Sequence, residues 1–152
     1  MAFNRKAFEQ VGGFDESFRQ ISEKGFGIVP TLFKQVLKNT SPTLFDHGNL
    51  IRDFIFIDDL IEAITQSFDK KNKFNLYNIG SGRGTAIKDL WKMIKKISGS
   101  NIKPRYKPKR PFDIQSIVLD TKRFEKEFNC KPRISLMQGL QKEFNWAKEN
   151  FV

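Results

Sequence analysis

Leu44 to Leu60 reads LFDHGNLIRDFIFIDDL, and two further stretches follow it: LYNIGSG at Leu76 to Gly82 and KRPFDI at Lys109 to Ile114. Within the first stretch, Thr43 to Phe45 and Phe54 to Ile57 are rich in β-forming residues and are separated by a polar loop at His47, Gly48 and Asn49. Asp59 followed by Glu62 has the form of a capping box, and Leu60, Ile61, Ile64 and Phe68 recur behind it at helical spacing. This spacing predicts a helix from about Asp59 to Phe68.

Working outward, Ile28, Val29, Leu32, Phe33, Val36 and Leu37 mark an amphipathic helix ending near Asn39, with Pro30 tolerable in its first turn. Phe74 to Ile79 alternates like a strand and runs into the turn Gly80, Ser81, Gly82 and Gly84. Thr85 is placed to cap the next helix, in which Ile87, Leu90, Trp91, Ile94 and Ile97 share a face and Gly99 is the stop. Pro104, Pro108 and Pro111 then punctuate a basic loop where a regular helix is unfavourable. Asp120 can cap a short helix carrying Phe124 and Phe128. Ser135 with Gln138 forms a second capping box, ahead of a terminal stripe of Leu136, Leu140, Phe144, Ala147 and Phe151. The fold class expected is α+β: helices with a few short strands.

The chain has 152 residues and a formal charge of +10, from 27 Lys and Arg against 17 Asp and Glu. That is enough for one domain with its own core, and the surface should favour anions: phosphorylated metabolites, nucleic acid or anionic lipid. Basic residues fall on nearly every segment, so charge alone does not choose among these. The 16 Phe interleave with Lys and Arg as in a base-stacking platform, but most sit at the apolar positions of the helices and strands above. Core packing explains them better. Cys130 is the single cysteine and His47 the single histidine, which excludes an internal disulfide and a zinc-type cluster and suits a reducing cytoplasm. No window approaches the roughly 18 apolar residues that would span a bilayer, and MAFNRKAFEQ lacks the apolar core of a signal peptide.

Arg52 lies just ahead of a β-prone run, and Arg110 sits on a proline-stiffened loop. Two planar guanidinium groups at fixed places can clamp a pyrophosphate through charge-assisted hydrogen bonds. Asp113 could accept from the vicinal hydroxyls of an attached ribose. The plainer reading is that Arg52 pairs with Asp53 or Asp58 and that Arg110 is solvated.

In order and separation, RDFIFIDDL, YNIGSG and RPFDI resemble the C-terminal part of the extended short-chain dehydrogenases, the NAD-dependent nucleotide-sugar epimerases and dehydratases. The resemblance runs from about Gly27 to the C-terminus. It implies that Arg52 and Arg110 contact a substrate diphosphate, that Asp113 contacts its ribose, and that main chain around Leu44 and Phe45 lines the base. Asp46 stands where that family usually has Gly. The turn Gly80 to Gly84 is mainly structural in the family, and its spacing is not that of a dinucleotide-binding loop. The family also needs a glycine fingerprint for NAD and a Tyr-x-x-x-Lys pair. Four residues after Tyr77 and Tyr106 stand Ser81 and Arg110, so neither tyrosine supplies it.

Ala2 to Phe18, AFNRKAFEQVGGFDESF, resembles instead a family-2 glycosyltransferase segment leading into G-G-F-D-E. The expected organisation is therefore a glycosyltransferase-like remnant at 1–24 and a nucleotide-sugar-binding lobe at 25–152. That lobe would lack most of its Rossmann domain, bind no cofactor alone and be inactive unless a second polypeptide supplied the NAD-binding half. The alternatives are a basic module that binds nucleic acid or anionic surfaces, and an accessory piece of a glycosyltransferase.

Overall fold

The computed structural model describes residues 27–68 and 73–151. The glycosyltransferase-like segment, and with it the proposed 1–24 unit, lies outside the described residues. The elements run α1 (Ile28–Leu37), β1 (Thr43–Phe45), a 3-10 turn (Asp46–Gly48), β2 (Ile51–Asp53), α2 (Ile57–Phe68), β3 (Gly84–Ala86), α3 (Ile87–Ser98), β4 (Arg105–Lys107), β5 (Ser116–Ile117), α4 (Lys122–Phe128) and α5 (Leu136–Asn150). This is a helix-rich α/β arrangement with short strands.

The strands form two small sheets. β1 lies parallel to β4, with Leu44 opposite Tyr106. β2 is central in the other sheet, antiparallel to β3 and parallel to β5, so that Arg52 stands between Thr85 and Ile117.

Helices α1, α3 and α5 close the main core over β1. Leu32 and Phe33, Leu44, Leu90, Trp91 and Ile94, and Leu140 and Ala147 are all buried there. Phe33 and Phe144 meet at 5.3 Å between ring centroids. A second, smaller core joins Ala63 of α2 to Phe124 and Phe128 of α4 and to Cys130, with Tyr77 and Ile79 packed against it. Burial raises the Cys130 thiol above its usual range, as expected of a packed, inert cysteine. Among the described residues, no cluster of three His, Cys, Asp or Glu could hold a metal ion, and no helix is long and apolar enough to cross a membrane.

The chain obeys its caps at several ends. Ser135 and Gln138 form the reciprocal capping box that opens α5. Gly99 closes α3 at φ +66°, a left-handed position open to glycine at little cost.

Other expectations are corrected. The second strand is Ile51–Asp53, ahead of the Phe54–Ile57 run, because the ladder partners Gly84–Ala86 and Ser116–Ile117 lie beside those residues. The Phe56 ring serves α5 instead, where a Cβ at Gly139 would stand 2.9 Å from it. Helix α2 opens at Ile57, and Asp59 does not cap it. Asp59 is buried and accepts hydrogen bonds from the main-chain N–H groups of Arg133 (3.1 Å) and Ile134 (3.0 Å), fastening the entry of α5 to α2. Phe74 to Ile79 is not a strand: Tyr77 and Ile79 turn into the second core while Phe74 and Leu76 are exposed. Thr85 belongs to β3, and α3 begins two residues later with no side-chain cap. Thr121, rather than Asp120, is the N-cap of α4, although the Asp120 carboxylate does accept from the N–H of Lys122 at 3.1 Å.

Candidate functional site

Alternation along a strand sends neighbouring side chains to opposite faces, so Arg52 and Asp53 of β2 cannot pair with each other. Asp53 instead accepts from the main-chain N–H of Ser81 (2.9 Å), Gly82 (3.0 Å) and Leu119 (3.2 Å), and from the Ser81 hydroxyl. The N–H groups of Ser81 and Gly82 in the glycine turn are therefore already engaged within the fold, which agrees with a structural role for that turn. Asp58, the other candidate partner of Arg52, pairs with Lys142 at 3.1 Å.

Arg52 reaches the opposite way. Its Nη1 donates to the carbonyls of Ile51 (2.7 Å) and Ile114 (2.9 Å), which ties β2 to the loop that carries Arg110 and Asp113. That loop turns on Arg110-Pro111-Phe112-Asp113, closed by a 3.1 Å bond from the N–H of Asp113 to the carbonyl of Arg110, with Pro at the position its fixed φ favours.

Arg110 is not simply solvated. Its Nη2 and Nε donate to the two oxygens of Asp113 at 2.7 and 3.0 Å, and its main-chain N–H adds a bond at 3.2 Å. The guanidinium also lies 4.2 Å from the ring centroid of Phe45 and 4.8 Å from that of Phe112. Hydrogen bonds from Arg110 hold the Asp113 carboxyl below the usual carboxylate range, with smaller help from the charge of Arg52. Arg110 thus meets Asp113 and Phe45 directly, and Arg52 reaches the same loop through the Ile114 carbonyl.

The neighbouring turn has an unusual backbone. Asp46, His47 and Gly48 all have positive φ, at 51°, 52° and 79°. Asp visits this region more readily than most residues, so the Asp46 substitution for Gly is accommodated. Gln115 donates to Asp46 Oδ2 at 3.0 Å and receives Lys109 Nζ at 3.0 Å, sewing the turn to the arginine loop. Tyr106 stacks on His47 at 5.9 Å. Leu44 is buried and its main chain runs in the β1–β4 ladder, while Phe45 contributes its ring to Arg110.

Sequence reasoning weighed Asp53 only as a partner of Arg52, and it singled out neither Phe112 nor Gln115. Strand alternation was a signal available for Asp53. Phe112 and Gln115 gave none, since an exposed aromatic or amide in a loop has no periodicity to betray it. A separate cleft of about 790 Å³, edged by Gly82, Arg83, Lys122, Lys131 and Ile134, includes none of the residues that meet at Arg110.

Residues 17–80 match the family model described as NAD dependent epimerase/dehydratase family. A putative UDP-glucose 4-epimerase of Methanocaldococcus jannaschii is 33% identical over 132 residues, covering 87% of this chain and 42% of that protein. UDP-arabinose 4-epimerase 1 of Arabidopsis thaliana is 31% identical over 125 residues, 80% of this chain and 29% of that one. Among solved structures, a UDP-glucose 4-epimerase of Thermotoga maritima, determined with UDP-glucose, superposes with a TM-score of 0.78 at 28% identity over 83% of this chain and 40% of its own. The Bordetella bronchiseptica enzyme WbmF, determined with NADH, gives 0.71 at 31% identity over 82% and 37%. The chain thus spans less than half the length of these relatives. By the sequence of residues 17–80 and by the fold of its described residues, this chain is related to the NAD dependent epimerase/dehydratase family.

Proposed function

We propose that residues 25–152 act as the substrate lobe of an epimerase or dehydratase and bind a nucleoside-diphosphate sugar. Arg52 and Arg110 would carry the diphosphate, and the β1 edge at Leu44 and Phe45 would face the base. The observation that carries this reading is that both guanidinium groups are anchored on one loop, Arg52 through the Ile114 carbonyl and Arg110 through Asp113. An arginine has five N–H donors, and among the described residues only part of each fork is engaged, which leaves donors for an anion. The epimerase relatives support the class of ligand.

The residues present do not fit a nicotinamide cofactor. No G-x-G-x-x-G precedes a helix, and the N–H groups of Ser81 and Gly82 in the glycine turn are bound to Asp53. Hydride transfer would need that half from another polypeptide or segment. Ile57, Ile61, Ile64 and Phe68 form a half-exposed apolar stripe on α2, which is consistent with such a neighbour. Size-exclusion chromatography tests this second point: a compact monomer that binds no apolar dye would argue against it.

Isothermal titration with UDP-sugars and dTDP-sugars tests the binding itself. The chain should bind, and an Arg52→Ala, Arg110→Ala double variant should not. No binding at millimolar ligand, or unchanged affinity in the variant, would defeat the proposal.

A further inference from the structure

Residues 90–112 carry eight Lys and Arg and no Asp or Glu, in a chain whose net charge is +10. The run covers most of α3 and all of β4. Much of the chain's charge is therefore local, and the fold gathers it on one side.

On α3, Lys88, Lys92 and Lys96 are exposed and recur every four residues, so they stand in one row, about 6 Å apart along the axis. Leu90, Trp91 and Ile94 turn the other way, into the main core. Lys88 Nζ donates to Asn49 Oδ1 at 2.9 Å, which sets the start of the row beside the 3-10 turn. His47 of that turn stacks on Tyr106 of β4 at 5.9 Å, and Lys92 is near enough to Tyr106 for the two side chains to interact electrostatically. The row on α3 thus borders β4, where Arg105, Tyr106 and Lys107 are all exposed and Lys103 precedes them. Asp89 answers Lys92 at 2.8 Å. Among the described residues, nothing pairs with the side chains of Lys96, Lys103 or Lys107, and Arg105 makes one long bond, 3.4 Å to the Ser41 carbonyl.

Separate cations without counter-charges raise a positive potential along the face, which suits a polymer of anions. Tyr106 decides which polymer. Its ring is 53% exposed, and among the described residues of α3 and β4 it is the one large apolar side chain so placed. A lipid surface would call for aliphatic groups to insert, and this face presents none. A duplex keeps its bases covered. An unpaired strand offers phosphates to the lysines and a base to the ring.

We propose that the α3–β4 face binds single-stranded nucleic acid, with Lys88, Lys92, Lys96, Lys103 and Lys107 along the phosphates and a base stacked on Tyr106. The inference stands apart from the nucleotide-sugar reading, since Arg52, Arg110 and Asp113 take no part in it.

Fluorescence anisotropy with a labelled oligouridylate tests the proposal. Binding should weaken with salt at a log–log slope of about −3 to −4, from five phosphates at about −0.7 each. Replacing Lys96, Lys103 and Lys107 together by Gln should weaken it about tenfold or more at low salt and reduce the slope by about two. Arg83, Lys122 and Lys126 lie on other elements, so their joint replacement by Gln removes the same charge elsewhere and should change affinity by less than about threefold. Equal losses in the two triple variants would overturn the proposal. Tyr106→Ala should cost about fivefold or more with the slope unchanged, as loss of one stacked base does, and Tyr106→Phe should restore binding. No loss in Tyr106→Ala, or a duplex held as tightly as the single strand, would overturn the single-strand assignment.

Two controls separate this face from its rivals. Excess UDP should leave the oligouridylate bound, and the Arg52→Ala, Arg110→Ala double variant should still bind it; displacement or loss would put the strand in the nucleotide-sugar site and end the claim of a separate face. If vesicles of phosphatidylglycerol and phosphatidylcholine bind while the oligouridylate does not, or if neither binds, the proposal fails.

Discussion

Gly48 lies so close to Lys88 that a Cβ at its position would stand 2.9 Å from the Lys88 Cβ. The turn at the candidate site and the first turn of α3 therefore press together without room for a methyl group, and Gly48 also has φ +79°. Gly48→Ala should destabilise the fold by about 1–3 kcal/mol, from backbone strain and displacement of α3 together. Urea denaturation checks this, and a midpoint equal to that of the wild type would disprove the contact.

Asp59 should matter more than its exposed neighbours. It is 6% exposed and accepts from two main-chain N–H groups. Asp59→Ala would leave both donors without their partner, at a cost of about 1–3 kcal/mol for each that stays buried. The change should appear as a lower denaturation midpoint and as faster amide exchange at Arg133 and Ile134.

The Arg110–Asp113 pair sets a pH dependence with a definite sign. Hydrogen bonding to Arg110 lowers the folded-state pKa of Asp113, so its contribution to stability is complete above the unfolded value and is lost as pH falls through the folded one. The difference in stability between the wild type and Asp113→Asn should be constant from pH 8 to pH 5 and should shrink below about pH 4. A difference that grew on acidification would contradict the pairing.

Glu143 behaves in the opposite sense. It edges an apolar groove with Val29, Phe54 and Leu136, and desolvation raises its carboxyl above the usual range. A raised folded-state value means that stability is greatest when the group is protonated and declines as pH rises through that range. Glu143→Gln should therefore raise the melting temperature at pH 7 and have little effect near pH 3, as thermal melts at the two values would reveal.

The two Ile residues Ile94 and Ile61 separate core from surface. Ile94 is 0% exposed in the main core, and Ile61 is 55% exposed on α2. Ile94→Ala should cost about 2–5 kcal/mol and Ile61→Ala at most about 0.5 kcal/mol. A comparable loss at Ile61 in the isolated chain would mean that the α2 stripe is already covered, for instance by self-association.

Helices were legible because their signals are local. The capping box at Ser135 and Gln138, the stripe from Leu136 to Phe151 and the stop at Gly99 each lie within a few residues of what they control. Strands were less legible because a ladder partner, and not the strand itself, decides where pairing falls. Ile51–Asp53 pairs because Gly84–Ala86 and Ser116–Ile117 flank it, while the better β-formers at Phe74 to Ile79 remain unpaired. Asp59 and Glu62 had the spacing of a cap, yet the carboxylate was needed by residues far along the chain. At the candidate site, Arg52, Arg110 and Asp113 could be named from their motifs, but the burial of Asp113 against Arg110 and the ring of Phe112 beside Arg110 are three-dimensional facts with no sequence period.

Both parallel ladders join distant stretches: Thr43 pairs with Arg105, and Ile51 with Ser116. Neither can close until the intervening helices exist, which makes these the slow, non-local steps of folding. A nascent chain halted before Ser116 already contains Arg52, Arg110 and the Ile114 carbonyl between them, yet lacks the β5 strand that pairs this loop's far end with β2. The placement of Arg52 beside the arginine loop would then be completed late in synthesis, when the last short strand leaves the ribosome and docks.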